Sequence, residues 1–340
     1  MDFMSRSVVS LTVTSDKPSF EASVRVNNFI CTLSGQVGDW KKFAPSIRGT
    51  RLKCELVDPQ EHLLWDCELK GTIGIGSYDE ADRIHERMWS GSFNSFNRNL
   101  NPPQLKPLCV TDQEQPEEYV FTKPRPLEGR RAYLETKVDI IIDLLSYKIV
   151  DLTLRSNELI TGPHDAAPFD ICGVKVWLSK DVLSVHSPLF ATTFEEGPGE
   201  DGFYTLHDPL CLTDFYTFKH FLATMHNYSN VVNLKSYIYL LDVATTFDCY
   251  YVSKQCEDFV RMHPWIDDST KLYVAGKYGL LQLASEVIER LPGVNLYSFL
   301  LQRDAKVLSP KACGPVLDMV MQQINSMSVV YYDTEDESEM

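Results

Sequence analysis

No stretch of this chain stays apolar long enough to cross a bilayer. The most apolar run, Ile140 to Val150, is interrupted by Asp143, Ser146 and Lys148 and falls far short of the roughly 20 residues that a spanning helix needs. The opening MDFMSRSVVSLTVTSDK lacks the basic patch, unbroken apolar segment and small-residue cleavage site of a secretory leader. The expected location is cytoplasmic or nuclear. C-x-x-C is also missing. The nine cysteines, at positions 31, 54, 67, 109, 172, 211, 249, 256 and 313, are odd in number and spread through apolar patterns. That is the usage of buried free thiols in a reducing compartment.

Signatures of catalysis are missing as well. The chain has no G-x-S-x-G, no H-E-x-x-H, no G-x-x-x-x-G-K-[ST] and no thiol-protease cysteine motif. In GTIGIGS, Gly71, Gly74 and Gly76 open no helix that would receive a pyrophosphate, so a strand-end turn is the reading. His186, His207, His220 and His226 fall close together in sequence, but none has a Cys, His or carboxylate partner at a zinc spacing. They are read as structural histidines. Asn227-Tyr228-Ser229 has the form of a glycosylation sequon, without weight where no leader is present. Neither an enzyme nor a bound cofactor or metal is expected.

A surplus of positive charge is the last absence. Residues 1–160 hold 20 Lys+Arg against 23 Asp+Glu, and residues 161–340 hold 12 against 24. So acidic a second half repels phosphate backbones and anionic lipid, which argues against nucleic acid and membrane as partners. The last eight residues, DTEDESEM, carry five of the acids and read as a solvated, disordered tail.

What is present is an ordinary globular composition, 44% apolar and 23% charged over 340 residues, enough for about two domains with their own cores. From Ser7 to about Arg155 the pattern is one of short strands. In RLKCELVD, Leu52, Cys54 and Leu56 alternate with Arg51, Lys53 and Glu55; in LLWDCELKG, Trp65, Cys67 and Leu69 alternate with Asp66, Glu68 and Lys70. Joined by DPQEHL, these two predict a hairpin with Cys54 and Cys67 facing inward, where a disulfide is conceivable and a reducing compartment favours two packed thiols. YVFTK and KVDIIIDLL predict another strand pair, with Val138, Ile140, Ile142 and Leu144 on one face. The apolar parity changes before Leu152 and Leu154, which places a turn or bulge near Ser146 to Lys148. GSYDEADRIHERMW reads as polar and partly helical, and NRNLNPPQLKP as a loop. The sum is an antiparallel β-sandwich.

From Asp165 the pattern changes. A strand pair reverses at Cys172-Gly173, and Val174, Val176 and Leu178 alternate with Lys175, Trp177 and Ser179. Ser187-Pro188 starts a helix that carries Leu189, Phe190 and Phe194. A strand-like FYTL follows at residues 203–206. Thr213 is the expected cap of a helix with Phe215, Phe218, Leu222 and Met225 at helical spacing. Two further helices carry Ile238, Leu241 and Ala244, then Val252, Cys256, Phe259 and Val260. Beyond them, Asp267, Asp268 or Ser269 caps one helix, Gly279 ends it, and Pro292 follows a second. LYSFLLQ and SPKACGPVLDMVMQQI predict two more, the latter starting at Ser309-Pro310 or at Gly314-Pro315.

This order and spacing resemble the BTB (POZ) domain. The family pattern H-[KR]-x-x-L-x-x-x-S-x-x-F is matched by Lys180, Leu183, Ser187 and Phe190, with Ser179 where the usual histidine stands. Phe218, Phe221, Leu222, Met225 and His226 fit a second motif, Leu240, Leu241, Ala244 and Phe247 a third, and Cys256, Phe259 and Val260 a fourth. Standing before such a domain, the sandwich resembles a MATH domain, on the strength of Trp65-x-Cys67 and the final strands; another antiparallel sandwich fits these residues equally. The helices beyond Val260 are similar to the start of a BACK-type region. The expected architecture is α+β and multidomain: a MATH-like β-sandwich over residues 1–155, a linker over 156–164, an α/β BTB/POZ domain over 165–262, a helical BACK-like extension over 263–326 and an acidic tail over 327–340.

The resemblance implies an interaction protein that homodimerises. Asp165, Lys180, Leu189 and Phe190 are the candidate seam residues, although Leu189 and Phe190 fit a monomer core equally well. Leu159 and Ile160, in the linker, fit either a plain tether or a strand that pairs with the partner chain. The family further implies a substrate adaptor of a cullin-3 ubiquitin ligase, with the sandwich holding an unknown client in a groove whose residues no pattern here identifies. Its cullin element is a hydrophobic-x-Glu in the loop after the Phe194 helix. In FEEGPGEDG, Glu200 matches the acid, and Pro198 stands where a larger apolar group is expected. A scaffold without a ligase is the alternative.

Overall fold

The computed structural model describes residues 5–38, 46–76, 83–100, 135–206, 214–290, 314–323 and 325. The chain divides into two compact units, Met1–Glu158 with Tyr228–Val231, and Leu159–Asn227 with Val232–Met340.

The strands of the first unit are β1 (Ser5–Thr14), β2 (Ser19–Val26), β3 (Phe29–Gly38), β4 (Ser46–Leu56), β5 (Leu63–Gly76), β6 (Arg83–Asn94), β7 (Asn99–Leu100) and β8 (Glu135–Asp151). They form two four-stranded sheets, ordered β1-β8-β5-β6 and β2-β3-β4-β7, with antiparallel pairing throughout. One core joins them: Phe29, Leu33, Leu52 and Cys54 from one sheet pack with Trp65, Leu69, Ile73, Phe93 and Ile140 from the other. The Phe29 and Trp65 rings meet at 5.4 Å. Alternation puts the apolar face of each strand inward, the expected basis of a sandwich.

Three local expectations need correction. The strands around Cys54 and Cys67 are not hairpin partners. β4 pairs with β3 and β7, and β5 pairs with β6 and β8. Residues 57–62 therefore cross from one sheet to the other. Alternation fixes which face is buried, and two strands facing each other across a sandwich show the same alternation as two neighbours in one sheet. Of the stretch expected to be partly helical, residues 83–89 belong to β6, in which Trp89 and Phe93 are buried while Met88 and Ser90 are exposed, and residues 77–82 lie outside the described residues. Asn99 and Leu100, read as loop, form β7 against Lys53 and Leu52. YVFTK, at residues 119–123, lies outside the described residues.

The bulge is where the parity change indicated. Glu68 pairs with Ser146 and Leu69 with Leu144, which leaves Leu145 as the extra residue of β8. Gly71, read as part of a strand-end turn, sits within β5. It lies opposite Trp89 on β6, and a Cβ there would come within 2.2 Å of the Ile141 carbonyl oxygen and 2.5 Å of the indole. Only glycine lets the ring cover the strand at that point.

In the second unit, β9 (Ala166–Ile171) and β10 (Val174–Ser179) form a hairpin, followed by α1 (Lys180–His186), α2 (Pro188–Glu196) and β11 (Tyr204–Thr205). β11 adds to β9 in parallel, giving the order β10-β9-β11. Then come α3 (Phe215–Met225), α4 (Tyr237–Thr246), α5 (Tyr250–Met262), α6 (Asp268–Tyr278) and α7 (Leu281–Arg290); residues 314–323 are also helical. The hairpin reverses at Cys172 and Gly173, both with positive φ (52° and 84°), and Asp170 Oδ1 accepts the Gly173 N–H at 2.9 Å. Such a two-residue loop matches the right-handed twist of the strands.

Caps follow local chemistry. Ser187 Oγ accepts the Phe190 N–H at the start of α2, and Asp267 accepts the Thr270 N–H at the start of α6. α6 ends at Gly279 in the left-handed conformation (φ 73°). For α3 the cap is Asp214, whose Oδ1 takes the Thr217 N–H at 2.6 Å, rather than the expected Thr213, which lies outside the described residues. Leu159 is buried and the 152–165 segment contains no strand. The segments 296–302 and 327–340 are also outside the described residues.

Candidate functional site

The junction of β9, β10 and α1 is built on one carboxylate. Asp165 is 5% exposed, and its Oδ1 accepts from Ser179 Oγ at 2.8 Å and the Asp181 N–H at 2.8 Å. Its Oδ2 accepts from the Thr161 N–H at 2.8 Å and Thr161 Oγ1 at 3.1 Å. Ser179 Oγ in turn accepts the Val182 N–H at 3.1 Å. Ser179 is thus the N-cap of α1 and donates its own O–H hydrogen bond to Asp165, a role its sequence position, read against the usual histidine, did not suggest.

Burial alone would raise the Asp165 pKa, but the four hydrogen bonds to the charged form together outweigh it and hold the carboxyl below its ordinary range. Its unfolded pKa is about 3.9. With the folded value lower, the stabilisation is fully present above about pH 4 and is lost as pH falls through the folded pKa. Asp165→Asn is expected to lower stability at pH 7 by about 1–3 kcal/mol and to flatten the acid limb of stability against pH. Urea titrations between pH 3 and 7 check both.

The other candidate residues separate into buried and exposed. Phe190 is 0% exposed; its ring lies 5.2 Å from Phe247, 6.1 Å from Phe169 and 6.4 Å from Phe218. Within its own chain the ring is closed in, which is the monomer-core alternative for this residue. Leu189 is 43% exposed, and Val185 on α1, not singled out from sequence, is 78% exposed. Lys180 is half-buried, with Nζ 5.6 Å from the Tyr204 ring and 5.9 Å from the Phe194 ring, where a cation is attracted to the aromatic face. Its helix position was legible; its aromatic neighbours were not.

The loop after α2 is tied to itself. Gly197 and Gly202 both have positive φ (85° and 80°). The Gly202 N–H donates to the Gly199 carbonyl and the Gly199 N–H to the Phe203 carbonyl, each at 2.9 Å. Asp201 Oδ1 accepts the Phe203 N–H at 3.1 Å. Pro198 and Glu200 project from this loop as exposed residues, while Phe194 is half-buried with its ring 5.1 Å from Tyr204 and 5.9 Å from Phe169.

Two histidines of the cluster have aromatic partners. His220 is buried, with Nδ1 hydrogen-bonded to the Tyr239 hydroxyl, and His186 lies 4.7 Å from the Tyr251 ring. Among the described residues no group of three or more His, Cys, Asp and Glu is placed to hold a metal ion, and no helix is long and apolar enough to cross a membrane. Met262 and Trp265, at and beyond the end of α5, are largely exposed and were not singled out from sequence; the caps on either side of them gave no sign of it.

The arrangement offers apolar surface on α1 and α2 and a shaped acidic loop, which suits binding to protein. No curated protein matches the chain. The family model described as BTB/POZ domain matches residues 166–263, and this segment of the chain is a BTB/POZ domain, a protein-interaction module.

Proposed function

We propose that this protein homodimerises through the α1–α2 surface of its BTB/POZ domain and serves as the substrate-recognition adaptor of a cullin-3 ubiquitin ligase. The carrying observation is the exposure of Val185 and Leu189 on consecutive helices of a domain type that pairs with itself. Obligate interfaces resemble a core cut in two, and uncovered aliphatic side chains are its raw material. The sandwich would hold the client, and the adaptor would raise the client's effective concentration at the ligase while dimerisation adds avidity. It would catalyse nothing itself, bind neither nucleic acid nor membrane, and work in the cytoplasm or nucleus. One observation favours the second reading, a scaffold without a ligase: Pro198 stands exposed where a bulkier apolar anchor is expected.

The test is light scattering of the purified chain beside a pull-down with the N-terminal region of cullin-3. Wild type is expected to run as a dimer and to retain cullin-3. Val185→Glu with Leu189→Glu places charge in an apolar seam and is expected to halve the mass. Pro198→Arg with Glu200→Ala is expected to remain a dimer and release cullin-3. A wild-type dimer that captures no cullin-3 at micromolar concentration makes the scaffold the working description, and a wild-type monomer overturns the seam.

A further inference from the structure

Three thiols meet inside the sandwich. Cys31 on β3, Cys54 on β4 and Cys67 on β5 are all buried and free. Cys54 Sγ lies 4.0 Å from Cys31 Sγ and 3.7 Å from Cys67 Sγ. Cys31 and Cys54 are direct partners in the β3–β4 ladder. The Cys54 N–H points away from β3, since it donates to the Arg98 carbonyl at 2.8 Å, so the pair is a non-hydrogen-bonded one with side chains close together. Cys67 approaches from the opposite sheet.

We propose that Cys54 and Cys67 form a redox modification site, at which hydrogen peroxide closes a disulfide between the two sheets. One thiolate attacks the peroxide oxygen, the O–O bond breaks, and a sulfenic acid forms with release of water. The second thiol then attacks that sulfur, the S–O bond breaks, and another water leaves. Two thiols lose two electrons and two protons, and one peroxide becomes two waters.

Geometry selects Cys67 over Cys31. A ladder pair at a non-hydrogen-bonded position holds its Cα atoms about 4.5 Å apart, at the bottom of the range for an unstrained disulfide. No ladder fixes the spacing of Cys54 and Cys67, whose sulfurs already touch. Access is the slow step. Among the described residues the outer edge of β4 is held by the two residues of β7 and by the Arg98 carbonyl, which takes the Cys54 N–H, so fraying of that short segment is the route to Cys54. Until then the thiol is unreactive: hydrogen bonding with Cys31, then with Cys67, and then burial push the Cys54 pKa well above its ordinary value. Exposed Cys172 provides a reference within the same chain.

The folded full-length chain is treated with hydrogen peroxide, quenched by alkylation and mapped by non-reducing peptide mass spectrometry. The expected product links the Cys54 and Cys67 peptides, forms at least about 100-fold more slowly than Cys172 is modified, and reverts with dithiothreitol. It is expected to raise the first unit's unfolding temperature by roughly 5–10 °C. Cys67→Ala removes both the linkage and the shift, whereas Cys31→Ala leaves both. A wild-type chain that stays folded by circular dichroism, with Cys172 modified and no Cys54–Cys67 linkage, overturns the proposal. So does Cys31–Cys54 as the main linkage.

Discussion

Phe190→Ala is expected to cost about 3–5 kcal/mol of unfolding free energy in the second unit, the largest effect of any single substitution at the candidate site. The ring is closed in by Phe169, Phe194, Phe218 and Phe247 at centroid distances of 5.2 to 6.4 Å, each within the range of favourable aromatic pairs. Removing it takes away both the buried area and the surface against which four neighbours pack. Urea denaturation followed by tryptophan fluorescence and circular dichroism measures the loss. Leu189→Glu, one residue away, is expected to leave the fold of the dissociated chain within about 1 kcal/mol of wild type, since within one chain the side chain is partly in water, and to act on the dimer instead. Should Phe190→Ala retain full stability and instead dissociate the dimer, the ring belongs to an interface after all.

The second large effect lies at Glu257 on α5. Its Oε1 accepts the Leu283 N–H at 3.0 Å and its Oε2 accepts from Lys254 Nζ at 2.9 Å, with Arg261 Nη2 3.4 Å from Oε1. A carboxylate from one helix thus caps the N-terminus of another, α7, where free N–H groups and the helix dipole favour negative charge. Glu257→Ala leaves a buried N–H without an acceptor and removes one of the two anions shared by Lys254 and Arg261, the other being Asp258. The expected cost is about 3 kcal/mol or more. Glu257→Gln keeps an acceptor for Leu283 and is expected to recover roughly half of that. Amide hydrogen exchange at Leu283 separates the two: protection falls in the alanine variant and persists in the glutamine one. Equal loss of protection in both would show that charge, and not the cap, holds α7.

Features encoded within a few residues could be read directly. Cys172-Gly173 announced a two-residue reversal because few residue pairs tolerate two positive φ angles, and Asp267 and Gly279 bracketed α6 by the chemistry of helix ends. The β8 bulge showed itself as a parity change. Features that depend on distant partners were hidden. Nothing near Leu52 or Trp65 distinguishes a neighbour in the same sheet from one across the core, so β4 and β5 were paired wrongly. For the same reason Cys31, the third thiol of the buried cluster, was invisible until its register with Cys54 was known. At the candidate site, Leu189 and Phe190 are adjacent and both apolar, and helix spacing alone did not decide which faces water.

The pairing of β1 with β8 has a consequence for how the chain is made. Ser5 lies opposite Leu144, and Thr14 opposite Glu135, so β1 leaves the ribosome well before β8, the strand it pairs with. At about 5–20 residues per second, the wait is roughly 6–28 s. During that time β1 presents an unpaired edge, and Val8 points its aliphatic side chain outward even in the finished fold. Arg6, which ends up beside Asp143 at 2.6 Å, and Ser5, Ser7 and Ser10 keep this nascent segment polar enough to discourage pairing with another copy. The order of synthesis, as much as the finished sandwich, shapes which residues the first strand carries.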